Sequence, residues 1–190
     1  CIGFNEDHEG FRYPAADVDA CIDCGLCEKV CPITCHKGPR KPVTVYAAKN
    51  NDDVVRQQSS SGGVFTLLAR EVVSGGGVVF GAAFDEFWEV VHRYADDLEG
   101  LTAFMGSKYL QSRIGDSYKK VEEFLRIGKR VLFSGTPCQV AGLKSFLRKD
   151  YDELLTVEVI CHGVPSPLVW RTYIKDISVD QNISEVNFRS

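Results

Sequence analysis

Apolar positions along this chain follow two spacings, and their alternation predicts an α/β fold from residue 43 onward. Runs typical of strands cover residues 43–48, 77–84, 89–94, 130–133 and 154–160. Helical spacing covers residues 60–73, 114–127 and 138–147, and a further helix begins at Ser166 and Pro167. Strands that alternate with helices favour a mixed or parallel sheet with helices packed against it.

The ends of one predicted helix carry residues that suit them. Ser112 is the expected N-cap of the helix over 114–127, because a serine hydroxyl accepts from the free backbone N–H groups of a first turn. Gly128 stands at the other end, where glycine readily adopts the left-handed conformation that terminates helices.

The cysteines are concentrated near the start of the chain. Five of the 8 lie between residues 21 and 35, and the others are Cys1, Cys138 and Cys161. A disulfide framework is usually spread through a small secreted chain. Tight clustering in a chain of 190 residues indicates metal binding in a reducing compartment, so we expect a cytoplasmic protein.

The segment from Cys21 to Pro32 reads C-x2-C-x2-C-x3-C-P, which is the run of bacterial ferredoxins. Cys21, Cys24 and Cys27 are expected to hold three corners of one 4Fe-4S cluster. Cys31 is expected to bind the other cluster of a two-cluster protein. Zinc remains the alternative, although zinc sites usually pair two ligands with two more further along the chain.

The fourth ligand of the first cluster must lie upstream of Cys21. Cys1 is the only cysteine there and no proline follows it, so we interpret it as a strand residue and the chain as a fragment without the first run. The last residues, 186–190, resemble an interrupted strand. Cys35 falls outside the ligand spacing and is interpreted as structural, and residues 36–42 predict a linker.

Charge and hydropathy narrow the class of partner. Lysine plus arginine number 22 and aspartate plus glutamate 26, for a net charge of -4, which argues against nucleic acid or anionic lipid as a partner. No apolar run approaches the roughly 18 residues of a membrane helix.

Several motifs in order resemble the coenzyme F-420 hydrogenase/dehydrogenase beta subunit family over nearly the whole chain. They are EDHEGFRYP at 6–14, the ferredoxin run, VYAAK at 45–49, SSSGG at 59–63, GAAF at 81–84, GSKY at 106–109, SGTPCQ at 134–139 and ICHGVPSP at 160–167. The sequence is most similar to bacterial members without an assigned substrate.

The resemblance implies a ferredoxin-like 4Fe-4S module, residues 1–35 after loss of its first half, joined by the linker 36–42 to a flavin-binding α/β domain. That domain is residues 43–190, without the C-terminal part of the family. Members pass electrons between iron–sulfur clusters and flavin adenine dinucleotide (FAD), and then to an organic acceptor such as a deazaflavin. The implied partners are a small-molecule redox substrate and a ferredoxin or another electron-transfer protein or subunit.

Two motifs are candidates for holding the flavin pyrophosphate. Ser60, Ser61, Gly62 and Gly63 precede a predicted helix, whose first N–H groups bind phosphate well, although serine is also an ordinary helix cap. Lys108 is expected to neutralise a phosphate or the reduced flavin ring; the alternative is a surface turn. We expect bulkier residues at Gly62 and Gly63 to weaken flavin retention.

Two further motifs end predicted strands. Gly135, Thr136 and Pro137 lead into a helix that carries Cys138, at the kind of junction where α/β sheets bind ligands. Cys138 is interpreted as a metal ligand or a flavin contact, and the alternative is a small buried side chain. Cys161 ends the next strand, and if the strands are parallel its sulfur should lie within about 10 Å of that of Cys138.

His162 follows Cys161 directly and is a candidate proton donor, with a structural histidine as the alternative. The sequence thus predicts an iron–sulfur flavoprotein oxidoreductase. Two alternatives stay open: an electron-transfer subunit whose catalysis belongs to a partner chain, and a zinc-stabilised binding module.

The cysteine run generates a direct test. Cys24→Ser is expected to remove most of the bound iron, because it takes one of three thiolates from the same cluster. Iron and acid-labile sulfide analysis after anaerobic purification measures the loss, and an unchanged iron content would refute the ligand assignment.

Overall fold

The structure, a computed structural model, describes residues 1–31, 33–34, 41–179 and 182–188. The strands are β1 (Ile2–Glu6), β2 (Arg12–Ala16), β3 (Val78–Phe84), β4 (Val90–Ala95), β5 (Val131–Gly135) and β6 (Leu154–Glu158). The helices are α1 (Leu26–Val30), α2 (Asp53–Gln57), α3 (Val64–Ser74), α4 (Ser117–Arg126), α5 (Pro137–Leu147) and α6 (Pro167–Ile177). A 3-10 helix covers Gly100–Phe104.

Four strands form the main sheet, in the order β4-β3-β5-β6. β3, β5 and β6 run parallel to one another, and β4 pairs antiparallel with β3. The predicted mixed or parallel sheet is therefore confirmed as mixed. Its antiparallel strand is β4, which follows β3 through a five-residue turn and needs no crossover helix.

Helices cover both faces of this sheet because successive residues of a buried strand point to opposite sides. On one face, Val79 and Ala83 of β3 pack with residues of α3 and the 3-10 helix. On the other face, Val78 and Phe80 of the same strand pack with residues of α4 and α5. β3 is consequently apolar on both faces, as its nearly continuous apolar sequence predicts.

The helix boundaries confirm most of the predicted end signals. Gly128, which follows the C-cap residue Ile127 of α4, has a φ of 75°, and its N–H donates to Leu125 O at 3.0 Å. Ser166 caps α6 by accepting from the N–H of Val169. The prediction for Ser112 was wrong: α4 begins at Ser117, and the Ser112 side chain is engaged elsewhere.

The strand predicted at 43–48 is absent. Residues 43–48 are exposed, with Val43, Val45 and Tyr46 among the most exposed apolar side chains, and they pair with no strand of the described sheet. The alternation of that segment is typical of a strand, but a strand forms only where a neighbour satisfies its backbone groups. The predicted strand at the end of the chain is also absent over residues 186–188.

The N-terminal region forms an antiparallel hairpin that the sequence did not predict, β1 paired with β2. Asp7 builds its loop: the carboxylate accepts from the N–H groups of Glu9 and Phe11 at 3.0 and 2.9 Å. Cys1 stands immediately before β1, and its carbonyl accepts from Asp17 N at 2.7 Å, beside rather than within the strand. Cys35, Pro32 and most of the predicted linker lie outside the described residues.

Within the described ranges, no helix combines the length and apolar character needed to cross a bilayer. α6 is the least covered of the long helices, with no buried residue. It is fixed to the sheet by Trp170, whose indole N–H donates to Trp88 O at 2.8 Å in the β3–β4 turn.

The core generates a stability prediction. Phe80 is fully buried and lies against Phe133, whereas Phe87 is 70% exposed. Phe80→Ala should lower the free energy of unfolding by about 3–5 kcal/mol. Phe87→Ala should lower it by no more than about 0.5 kcal/mol, and urea unfolding of both variants measures the difference. Equal losses would contradict the packing described.

Candidate functional site

The candidate site lies where the parallel strands of the sheet end. Gly135 at the end of β5 is paired with Glu158 at the end of β6, and Val159 N donates to Gly135 O at 3.0 Å. β3 runs parallel to β5, so Phe84 marks the same edge. Open α/β sheets bind ligands outside the carboxyl ends of their strands.

The turn after β5 holds Cys138 in the first turn of α5. Thr136 and Gln139 form a capping box, in which Thr136 N donates to Gln139 Oε1 at 3.0 Å. The Cys138 sulfur lies 3.0 Å from Thr136 Oγ1 and is exposed, so the interpretation of Cys138 as a buried packing residue is wrong. An accessible thiol in a rigid turn is able to contact a ligand at this edge.

Tyr118 of α4 makes a hydrogen bond to the first turn of α5. Its hydroxyl donates to Gln139 O at 2.7 Å. Burial, and in second place the neighbouring Cys138 thiolate charge, raise the pKa of Tyr118 well above its usual value. The hydroxyl therefore remains a hydrogen-bond donor across the working pH range.

His92, which stands in no sequence motif, connects β4 to the end of β5 and to the turn that follows it. It is buried on β4; its Nε2 lies 2.9 Å from Ser134 O and its Nδ1 lies 2.8 Å from Ser112 Oγ. Ser112 Oγ also accepts from Gln139 Nε2 at 2.8 Å. With a neutral ring, Nε2–H donates to Ser134 O and the Ser112 hydroxyl donates to Nδ1. Both ring nitrogens of His92 and the Ser112 hydroxyl therefore have hydrogen-bond partners.

The burial of His92 had one signal in the sequence. Position 92 follows buried Val90 by two residues on a predicted strand, and every second residue of a strand points to the same face. A histidine on the inward face must have hydrogen-bond partners, and the neighbours that provide them come from other elements. Sequence alone does not identify those neighbours.

The serine–glycine loop before α3 is shaped by its own chain. Asn50, which is buried, donates from its backbone to Gly62 O at 2.7 Å and from its side chain to Gly63 O at 3.3 Å. A Cβ on Gly62 would stand 2.9 Å from Ala48 O, and Gly63 has a φ of +70°. Substitution at these glycines would therefore distort the loop whether or not it holds a flavin.

Two predicted phosphate motifs meet at this loop. Ser107 N donates to Ser60 Oγ at 2.5 Å, which joins the loop before α3 to the segment after the 3-10 helix. Lys108 Nζ donates to Met105 O at 3.0 Å and to Gly106 O at 3.2 Å, and it lies 5.8 Å from the centre of the Phe84 ring.

Lys108 is not the solvated surface lysine of the alternative interpretation. Burial, and secondly the positive charge of Arg93, lower its pKa to about 8. Its ammonium group lies next to Phe84, at the carboxyl edge of the sheet. Burial makes the protonated form less favourable there, and a bound anion would stabilise it.

The motif after β6 is more exposed to solvent than the motif after β5. Cys161 and His162 are both exposed, and the Cys161 sulfur accepts from Gly163 N at 3.4 Å. The parallel pairing of β5 and β6 puts Cys138 and Cys161 beyond the same edge of the sheet, which is the arrangement that the sequence predicted. Their distance within that edge stays a prediction.

The cysteine run has donors suited to iron. Cys21, Cys24, Cys27 and Cys31 are free thiols, the first three of them exposed. Hydrogen bonds from the backbone of Thr34, the backbone of Ile33 and the Thr34 side chain, in that order of size, lower the pKa of Cys31, which favours the thiolate that a cluster requires. In the described part of the chain, no three His, Cys, Asp or Glu side chains converge as metal ligands.

The hairpin and α1 both contact the α/β domain. Cα atoms of α1, which carries Cys27, approach those of α5 to within 8 Å. A cavity of about 350 Å³ opens between the hairpin and α6, with Phe4, Glu6 and Arg12 on one side and Trp170 and Arg171 on the other. Its volume is within the range of small-molecule pockets.

Two segments of the sequence match the models of known protein families. Residues 128–190 match the family described as the C terminus of the coenzyme F420 hydrogenase/dehydrogenase beta subunit, and residues 14–34 match the 4Fe-4S binding domain. No curated protein matches the chain.

Among solved structures, a chain with the same fold illustrates the likeness. It comes from a structure titled xenon derivatization of the F420-reducing [NiFe] hydrogenase complex from Methanosarcina barkeri, with 21% identity and a TM-score of 0.54. The match covers 70% of the present chain and 49% of that chain, so the present sequence spans about half its length.

The His92 network generates a pH prediction. Burial lowers the pKa of His92, and its bond to Ser134 O opposes this in part, so below about pH 6.5 the unfolded chain binds more protons than the folded one. The free energy of unfolding should fall as the pH drops below about 6.5. Denaturant unfolding at a series of pH values tests this.

The control for that experiment is the exposed His8. His92→Gln should flatten the acid branch of the stability profile, and His8→Gln should leave it unchanged. A profile that is identical in His92→Gln and the parent would show that His92 does not titrate with folding.

Proposed function

We propose that this chain, whose residues 128–190 match the C terminus of the coenzyme F420 hydrogenase/dehydrogenase beta subunit family, is part of an iron–sulfur flavoprotein oxidoreductase of the cytoplasm. In this proposal it relays electrons between 4Fe-4S clusters and FAD, and the flavin reduces or oxidises an organic acceptor of deazaflavin type or of another kind. The observation that carries the proposal is the assembly of four motifs from distant parts of the sequence along one sheet edge.

Cys21, Cys24 and Cys27 are the proposed ligands of one cluster and Cys31 of a second. The donor set fits, since all four are thiols outside any disulfide and the run matches the 4Fe-4S binding domain. Clusters of this kind supply single electrons at potentials set by charge, hydrogen bonding and exposure. The Thr34 and Ile33 groups that favour the Cys31 thiolate are part of that control.

Ser60, Ser61 and Lys108 are the proposed holders of the flavin pyrophosphate. Hydroxyls, a partly buried ammonium group and the first N–H groups of α3 offer an anion donors on several sides. Gly62 and Gly63 shape this loop through their contacts with Ala48 and Asn50, so their role is indirect. A bound flavin connects one-electron and two-electron chemistry.

The turn after β5 is the proposed place of contact with the flavin ring or the acceptor. Gly135, Thr136 and Pro137 form a fixed turn at the carboxyl edge, and Cys138 is the accessible side chain within it. His162, across the same edge, is the proposed proton donor to the acceptor, and its exposure leaves it free to approach a ligand.

Composition of the purified protein tests the proposal against its alternatives. The full-length protein purified without oxygen should contain iron, sulfide and FAD together. A colourless protein with zinc would favour the binding module. Iron and sulfide without flavin would favour an electron-transfer subunit, an alternative suggested by the relative's place in a hydrogenase complex.

Lys108 generates a sharper prediction. Lys108→Met should weaken FAD binding by about tenfold or more, because hydrogen bonds to charged groups contribute about 1.5–3 kcal/mol. Lys119→Met, an exposed lysine of α4, is the control and should bind FAD like the parent. Equilibrium dialysis gives both dissociation constants, and equal weakening would refute the assignment.

The same lysine predicts a pH dependence. Its pKa of about 8 means that the ammonium form is lost as the pH rises above about 8. FAD affinity should fall over that range in the parent and stay flat in Lys108→Met. A parent affinity that is constant to pH 9.5, roughly 1.5 units above that pKa, would contradict a charge contact with the phosphate.

A further inference from the structure

The hairpin motif at 6–14, which has no role in the proposed chemistry, meets the end of the motif at 160–167 in the fold. The hairpin loop within residues 6–14 lies against the start of α6, whose first residue, Pro167, ends the motif at 160–167. Ser166 Oγ donates to Glu9 O across this contact, although the two residues are 157 positions apart. The contact joins the hairpin that precedes the cysteine run to the α/β domain.

Gly10 makes the closest approach in this contact. It is buried, with a φ of +87°, and a Cβ there would stand 2.6 Å from Leu168 N and 2.7 Å from Leu168 Cβ. The first of these is a backbone atom of a helix, which cannot move aside as a flexible side chain does. Only glycine therefore lets the hairpin loop rest on α6 as it does.

A series of ion pairs between alternating acidic and basic side chains lies on the other side of the contact. Glu6 of the hairpin pairs with Arg171 of α6, and Arg171 Nη1 lies 3.5 Å from a carboxylate oxygen of Glu89, the residue before β4. Glu89 pairs with Arg113 at 2.9 Å, and Arg113 pairs with Asp85 at 2.8 Å. Networks of this kind contribute more than isolated surface pairs, and here Arg171, Glu89 and Arg113 each have two oppositely charged partners.

A second contact lies at the cysteine run itself. α1 packs near α5, and α5 carries Cys138 in its first turn. The N-terminal region therefore touches the α/β domain at two places, with the hairpin on α6 and α1 on α5. Two separate contacts fix the orientation of a small module, whereas one would leave it free to rotate.

We propose that the hairpin–α6 contact is a docking joint that holds the cysteine run beside the carboxyl edge of the sheet, with Gly10, Glu6 and Arg171 as positioning residues for electron transfer. This rests on the proposed function, because it assumes that clusters and flavin lie on either side of the joint. The residues of the joint touch neither group; they set the distance between them.

Gly10→Ala and Gly3→Ala in the full chain form a matched pair. Both glycines belong to the hairpin, and a Cβ on Gly3 has nothing within 4 Å. Gly10→Ala should increase the amide exchange of residues 2–16 and 164–172 together by about tenfold, the shift expected from a side chain at a positive φ. Gly3→Ala should leave both segments as in the parent.

A kinetic measurement separates positioning from general destabilisation. In Gly10→Ala, electrons that enter at the clusters should reach the flavin several times more slowly, while iron content, flavin content and direct chemical reduction of the flavin stay unchanged. Faster exchange with an unchanged transfer rate would overturn the positioning role, and exchange no faster than in Gly3→Ala would overturn the joint.

Glu6→Gln gives a milder test without backbone strain, in case Gly10→Ala does not fold. It should raise exchange in the same two segments by about twofold to fivefold at low salt, and added salt should remove the difference from the parent. Glu123→Gln, on the exposed face of α4, is the control. Equal exchange in Glu6→Gln and Glu123→Gln would also overturn the joint. A parent that binds no flavin would refute the proposed function, but the exchange result would still decide the joint.

Discussion

The parallel pairing of β5 with β3 on one side and β6 on the other is the constraint on which the candidate site depends. It aligns Gly135 with Glu158, so the segments that follow both strands leave the sheet at one edge. Phe84 ends β3 at this edge, next to Lys108. If β6 ran antiparallel, Cys161 and His162 would lie at the opposite end of the sheet.

Buried hydrogen bonds then make this edge rigid. His92 is bonded to Ser134 in β5 and to Ser112 before α4, and through Gln139 the same network reaches the turn that holds Cys138. A turn built this way costs less to order when a ligand binds, because its side chains already occupy their positions. The same network should make the folded state less stable in acid, because burial disfavours a charged imidazole at His92.

Regular elements of the main sheet could be predicted from sequence because their signals are local. The apolar run of β3, the glycine after α4 and the serine–proline start of α6 each determine structure within a few residues. The cysteine spacing is local as well, and the matched 4Fe-4S binding domain agrees with it.

Features set by distant partners could not be predicted in this way. Ser112 has the side chain of a helix cap, yet His92 and Gln139 engage it, and a cap prediction does not consider such competitors. Residues 43–48 alternate like a strand but have no neighbouring strand. Gly62 looks like a phosphate-loop glycine, whereas the nearby Ala48 carbonyl explains why glycine is required there.

Electron transfer from an iron–sulfur cluster to a flavin within one protein is the step that the proposed function requires. The most direct measurement is a rapid-mixing experiment without oxygen, in which a one-electron donor reduces the full-length protein and the cluster and flavin absorbances are followed together. We expect cluster absorbance to fall first and to recover at the rate at which flavin absorbance falls. Flavin reduction that proceeds equally fast in Cys24→Ser, without a preceding cluster phase, would contradict it.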